Sequence, residues 1–226
     1  MKREVITTRD GSNSISITEL NVTYHSIHGA LQESKHVYIE AGLLPILHQY
    51  ETIYIFEMGF GTGLNALLSL QTATTRQQKI HYTAIELFPL TIEEASLLNY
   101  ADEGFMQLHT CDWEKDIEIN PYFTLHKTNA SIIDSSTDKP INLLYFDAFA
   151  AAAQPELWTK EIFEKLFAML DTNAVLVTYS SKGSVRRAML EAGFSVEKIP
   201  GALHKREMIR ARKITVPKDS RLNFFS

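Results

Sequence analysis

Three carboxylates stand where an apolar, strand-like run gives out: Glu57 in "TIYIFEMG", Glu86 in "IHYTAIE" and Asp147 in "INLLYFD". A carboxylate in such a place can accept hydrogen bonds from a ligand's hydroxyl or ammonium group, or take a proton from a nucleophile. It can equally cap a turn or a helix, and Asp147, followed by "AFAAAAQP", is compatible with both roles. Between Glu57 and the next helical run lies "EMGFGTGLN". Its glycines, Gly59, Gly61 and Gly63, allow a sharp turn and the close approach of a ligand. The spacing departs from the dinucleotide fingerprint G-x-G-x-x-G, since the third glycine comes one residue early and Leu64 takes its place. The absence of G-K-[ST] excludes a triphosphate-binding loop.

The elements that must position these residues follow from the hydrophobic pattern. From residue 51 the chain alternates strands and helices. The expected strands are "TIYIFEMG", "IHYTAIE", a run entered from a turn at Asn120-Pro121 in "INPYFTLHKT", "INLLYFD", "AVLVTYS", "FSVEKIP" and a last one in "HKREMIRARK". Helices are expected in "LNALLSLQTA", "LTIEEASLLNY", "TKEIFEKLFAML" and "GSVRRAMLEAG", with helix and loop ahead of Asn120. Continuous apolar strands alternating with helices predict a mainly parallel, seven-stranded sheet covered on both faces. The first 50 residues read as a small β-rich lead-in, with period-two patterning in "SISITEL" and "VTYHS". One domain over residues 1–226 is expected, with its core at 51–215. In such a sheet ligands bind beyond the carboxyl ends of the strands, which puts Asp147 on the same edge as Gly59–Gly63 and Glu86.

An acidic-x-G-x-G-x-G loop after a buried first strand is the usual loop of S-adenosylmethionine-dependent methyltransferases. The predicted fold is therefore a Rossmann-like class I methyltransferase, with S-adenosyl-L-methionine as cofactor. Glu57, Gly59, Phe60, Gly61, Thr62, Gly63 and Asn65 would border its methionine portion, and Glu86 would accept the ribose hydroxyls. Asn129, after the third strand, would meet adenine. Asp147 would then lie beside both the cofactor's methyl group and an acceptor. An amine acceptor must shed a proton, and a neighbouring carboxylate can orient it and take that proton. Phe149 could stack on a planar base.

Several stretches resemble the methyltransferase module of the bifunctional tRNA 5-methylaminomethyl-2-thiouridine biosynthesis family. They are "ESKHVYIEAGL", "EMGFGTGLNALL", "IELFPLT", "FDAFAAAAQPELW", "TYSSKGSVRRAMLEAGF" and "HKREMIRA", in the family's order from about residue 22 to 212. The resemblance implies methylation of an aminomethyl group on the wobble uridine of tRNA, with Asp147 beside the target amine. It also marks departures: Ala151 replaces a proline, Ala153 a lysine and Asn129 an aspartate. The family's flavin-dependent oxidase half is not among the matching stretches, so final methylation alone is expected.

Charge agrees with a local polyanion site. The net charge is −5, yet residues 182–221 hold eleven Lys/Arg and four acids. Arg186, Lys205 and Arg206 are candidate contacts to tRNA, alongside Arg187. No metal is expected from the histidine spacing, and Cys111 is the single cysteine. His36 reads as a structural hydrogen-bonding residue, and Trp113 and Trp158 as packing. The absence of long apolar stretches and of a signal-like start predicts a cytoplasmic protein. A small-molecule amine methyltransferase, an aminopropyltransferase relative and a cofactor-binding relative without catalysis remain the alternatives.

Overall fold

A computed structural model describes residues 2–100, 103–202 and 204–214. Its central sheet has eight strands: β4 (Thr52–Met58), β5 (Lys79–Ile85), β6 (Asp116–Asn120), β7 (Phe123–Thr128), β8 (Ile141–Phe146), β9 (Leu170–Thr178), β10 (Ser195–Pro200) and β11 (Glu207–Arg212). Their spatial order is β10-β11-β9-β8-β4-β5-β7-β6. The five inner strands from β9 to β7 pair in parallel, and β11, β10 and β6 are antiparallel to their neighbours. The chain builds outward from β4 through β5 to β7, then returns to β8 on β4's other side. That reversal opens a crevice at the carboxyl ends of β4 and β8.

All seven expected strands are present. The eighth, β6, falls where helix and loop were expected. It is an exposed edge strand, and its sequence "DIEIN" alternates too briefly, with too many acids, to signal a strand. The helix expected over residues 90–100 is regular only at α3 (Ile92–Ser96), which begins with a Thr91–Glu94 capping box. Helix α4 (Glu103–Thr110) precedes β6.

Both faces of the strands are buried, which explains their unbroken apolar runs. On one face Ile53, Ile55, Tyr82, Leu125, Tyr145 and Val177 pack with Leu64, Leu67 and Leu68 of α2 (Leu64–Arg76) and Leu108 of α4. On the other, Phe56, Met58, Leu144, Phe146 and Leu176 pack with α5 (Lys160–Met169) and α6 (Gly183–Glu191) through Phe163, Leu166, Val185 and Met189.

The lead-in is β-structured only as far as Thr23. There β1 (Arg3–Thr7), β2 (Asn13–Ile17) and β3 (Val22–Thr23) form an antiparallel sheet. Residues 30–46, expected within a β-rich extension, are helical instead. The segment is α-helical in α1 (Ala30–Ser34), widens to π-helix over Lys35–Leu43 and tightens to a 3-10 turn over Leu44–Ile46. Val37, Tyr38 and Leu43 from this segment enter the core, so it belongs to the packed layer rather than to an appendage.

Candidate active site

The loop between β4 and α2 is pinned from three sides. Gly59 and Phe60 donate their amides to Ile85 O at the end of β5 (both 3.1 Å), and His109 Nε2 bonds Thr62 O (3.1 Å). Desolvation pushes the His109 imidazole down to about 4, so it is neutral. Gly59 has φ +94° and Gly61 φ +51°, a region that side chains rarely adopt. A Cβ on Gly59 would meet Asp147 O at 3.2 Å, and one on Gly61 the Tyr24 ring at 3.0 Å.

These residues border a cleft of about 290 Å³ at the carboxyl edge. Gly59, Phe60, Gly61, Thr62, Asn65, Glu86, Asp147 and Phe149 all line it. Glu86 accepts from Gly61 N through Oε2 and from Phe88 N through Oε1 (2.9 Å each), which aims its carboxylate along the loop. Glu57, by contrast, is buried behind the wall. The cleft reaches it through Asn65, whose single Nδ2 donates to Glu57 Oε1 (2.9 Å) and to Asp147 Oδ2 (2.8 Å). Burial raises the Glu57 carboxyl well above the usual range, and burial likewise pushes Asp147 up to about 7. Asp147 N donates to Met58 O (3.2 Å), so the residue after β8 is held to the end of β4.

Five further candidates lie elsewhere. Gly63 caps the start of α2 behind the cleft, where a Cβ would meet His109 Nε2 at 3.0 Å. Asn129 is exposed and does not line the cleft. Its side-chain amide donates to Glu86 O (2.7 Å) and Leu87 O (3.3 Å), supporting the loop that follows β5, while residues 130–133 form the adjacent wall. Arg186 lies in a separate shallow groove with Arg187 and Lys198. Lys205 turns inward: its Nζ pairs with buried Glu33 and sits 4.4 Å from the centroid of the Tyr179 ring. Arg206 is exposed on the β10–β11 connection. Ala153 is exposed in the turn after Phe149, and Ala151 packs partly against the second core face. His36 bonds Pro200 O (2.9 Å), and Trp158 donates to Phe149 O (2.8 Å), both structural roles.

Sequence reasoning missed the lead-in residues of the cleft and part of its far wall, among them Ile132, Ile133, Gln154 and Leu157. Arg3, Ile17, Tyr24 and His25 roof the cleft, and Tyr24 meets Phe149 edge-on at 5.1 Å between ring centres. The one available signal for Tyr24 was its position in "VTYHS", where an aromatic alternates with polar residues.

Glycine loop, carboxylate after the second strand and carboxylate after the fourth at one switch point define the class: a Rossmann-like class I methyltransferase. A family model described as S-adenosyl-L-methionine-dependent methyltransferase matches residues 76–214, and the chain belongs to that family. Among curated relatives, the tRNA 5-methylaminomethyl-2-thiouridine biosynthesis bifunctional protein MnmC of Azoarcus sp. (strain BH72) is 31% identical over 209 residues, covering 84% of this chain and 32% of that protein. The protein of the same name from Stutzerimonas stutzeri (strain A1501) is 30% identical over 217 residues, covering 83% and 31%. The chain thus spans about a third of the length of these relatives. In fold it is similar to MNMC2 from Aquifex aeolicus (TM-score 0.79, 23% identity, 96% of this chain and 72% of that one). It is also similar to a spermidine synthase from Thermotoga maritima (TM-score 0.57, 11% identity, 93% and 68%).

The cofactor of the family is S-adenosyl-L-methionine, and the residues present fit it. Gly59 and Gly61 have no room for a Cβ beside Asp147 O and the Tyr24 ring, so the loop borders the cleft with bare backbone, and Asn65 Oδ1 is a buried acceptor with no donor among the described residues. Among the described residues no cluster of three metal-binding side chains occurs, and no helix is long and apolar enough to cross a membrane.

Proposed function

We propose that the enzyme methylates the aminomethyl nitrogen on the wobble uridine of tRNA, forming 5-methylaminomethyl(-2-thio)uridine. The observation that carries this reading is Asp147. Its carboxyl is recessed at the cleft, held by Asn65, and has its proton affinity raised to near neutrality. A base of that strength is matched to an amine that must lose a proton before its lone pair can attack. The names of the curated relatives supply the substrate class.

When bound, S-adenosylmethionine supplies an electrophilic methyl group on a sulfonium. Glu86 and the backbone of Gly59–Gly63 would hold it, with Asn65 facing its methionine end. Asp147 accepts a proton from the substrate's ammonium group and so frees its lone pair; the methyl would then pass to nitrogen as its bond to sulfur breaks. Phe149 and Tyr24 provide an aromatic pair against which a uracil ring can be oriented. Arg186, Arg187 and Arg206 contact the tRNA backbone. The setting is the cytoplasm.

The test is transfer of label from S-adenosylmethionine to tRNA isolated from cells that lack the final methyl group. Label in the wobble uridine is the expected result. Label entering free small amines but not tRNA would overturn this reading, and so would cofactor binding without transfer to either.

A further inference from the structure

Asn65 carries one amide nitrogen with two hydrogens, and both are committed to carboxylates: Glu57 Oε1 on β4 and Asp147 Oδ2 after β8. Glu57 is 1% exposed, and among the described residues neither its Oε2 nor the buried Asn65 Oδ1 has a hydrogen-bond partner. Two carboxylates share one donor here, one of them fully buried, and the charge of Asp147 adds to the burial that disfavours ionised Glu57.

The groups facing the pair relieve it only in part. The buried hydroxyls of Tyr82 on β5 and Tyr38 of the π-helical segment face Glu57 and Asp147 and favour their ionised forms, against the larger cost of burial. Tyr145 on β8 is engaged with Ser69. Tyr179, just after β9, donates to Ala148 O. Glu86 at the end of β5 is capped by two amides. Glu33 of α1 adds negative charge, and the nearby cation, Lys205, is paired to Glu33.

We infer that Asn65 joins Glu57 and Asp147 into one protonic unit, which holds a proton in the cofactor-free protein and gives it up when the cationic cofactor enters. Asn65 is then a positioning residue, through which filling of the cofactor site readies Asp147 as a base. The proton leaves to solvent or buffer, and no other bond changes. A purely structural asparagine would hold the two strand ends together without affecting where the proton goes.

The inference rests on S-adenosylmethionine binding in this cleft but needs no acceptor, so it can fail while the tRNA reading stands. The experiment is isothermal titration calorimetry of the protein with S-adenosylmethionine between pH 6 and 8.5, in buffers of different ionisation enthalpy. The slope against buffer enthalpy counts protons. Wild type is expected to release up to about one proton per site more than Asp147→Asn, because the variant retains Glu57 without its acidic partner. Asn65→Leu, checked for folding by circular dichroism, is expected to shift the pH of half-release upward by about one unit, a tenfold change in proton affinity. Equal proton counts in wild type and Asp147→Asn would overturn the shared unit. A folded Asn65→Leu with weaker binding but an unchanged pH of release would remove Asn65 from it. The Asp147→Asn comparison stands by itself if Asn65→Leu does not fold.

Discussion

Asp147 combines two properties that rarely coincide on a surface aspartate: a fixed orientation from Asn65, and a proton affinity raised by desolvation from the ordinary 3.8 to about 7. Replacing it with asparagine keeps the shape and removes the base. Transfer is expected to fall on the order of 10²- to 10⁴-fold in a single-turnover assay, while the cofactor still binds. Stability should move the other way. A folded-state pKa above the unfolded value means that the carboxyl is harmless below about pH 4 and increasingly costly as pH rises through 7. Asp147→Asn is therefore expected to exceed wild type by roughly 1–2 kcal/mol above pH 7, and to converge with it near pH 4, in urea unfolding. Equal stabilities at pH 8 would show that burial does not strain the ionised form.

At the scale of elements, the N-terminal sheet acts as a roof clamped to the central sheet. Arg3 on β1 donates to Pro89 O (3.1 Å) and Phe88 O in the β5–α3 connection that carries Glu86 into the cleft, and to Glu94 Oε2 (2.9 Å) in α3. Tyr100 and Asn99 add bonds to Asn13 and Gly11. Arg3→Ala is expected to lower stability by about 1–2 kcal/mol. It should also speed hydrogen exchange across residues 3–23 and weaken S-adenosylmethionine binding several-fold. If exchange there were unchanged, Arg3 would not be the clamp. The helical segment after the roof has a matching role, since its π-helical turns deliver Tyr38 to the side of Asp147.

Over the whole molecule, the basic C-terminal portion is less available than its charge count suggests. Lys198 pairs with Glu207, Arg210 with Glu197 and Lys205 with Glu33, and Lys213 bonds Leu170 O. Lys218 and Arg221 fall outside the described residues. Lys182, Arg186, Arg187 and Arg206 carry no ion pair among the described residues. If Arg186 and Arg187 contact phosphates, changing both to alanine should weaken tRNA binding and flatten its log–log salt dependence by roughly 0.7–0.9 per lost contact. Cofactor affinity should not change. Lys205→Ala is expected to leave the salt slope alone and to lower transfer, because its charge is spent on Glu33 beside the site. The reverse pattern would return Lys205 to the RNA surface.

Local pattern alone determined the order of the seven expected strands, the glycine loop, and the three carboxylates at strand ends. Those features depend on residues near one another in the chain, where apolar runs and glycine spacing speak for themselves. It could not show that Glu57 stands behind the wall while Asn65 faces the cleft, since both follow from how α2 seats on β4. Nor could it foresee Tyr24 and Arg3 over the cofactor site, the inward turn of Lys205, or Asn129 spent on supporting a loop. Each of these is a contact between segments tens of residues apart, chosen by packing and by the need to satisfy buried polar groups. The strand-ending position of Asp147 was legible in the sequence. Its raised proton affinity was decided only by the fold, which buries the carboxyl more than its hydrogen bonds to neighbouring side chains can offset.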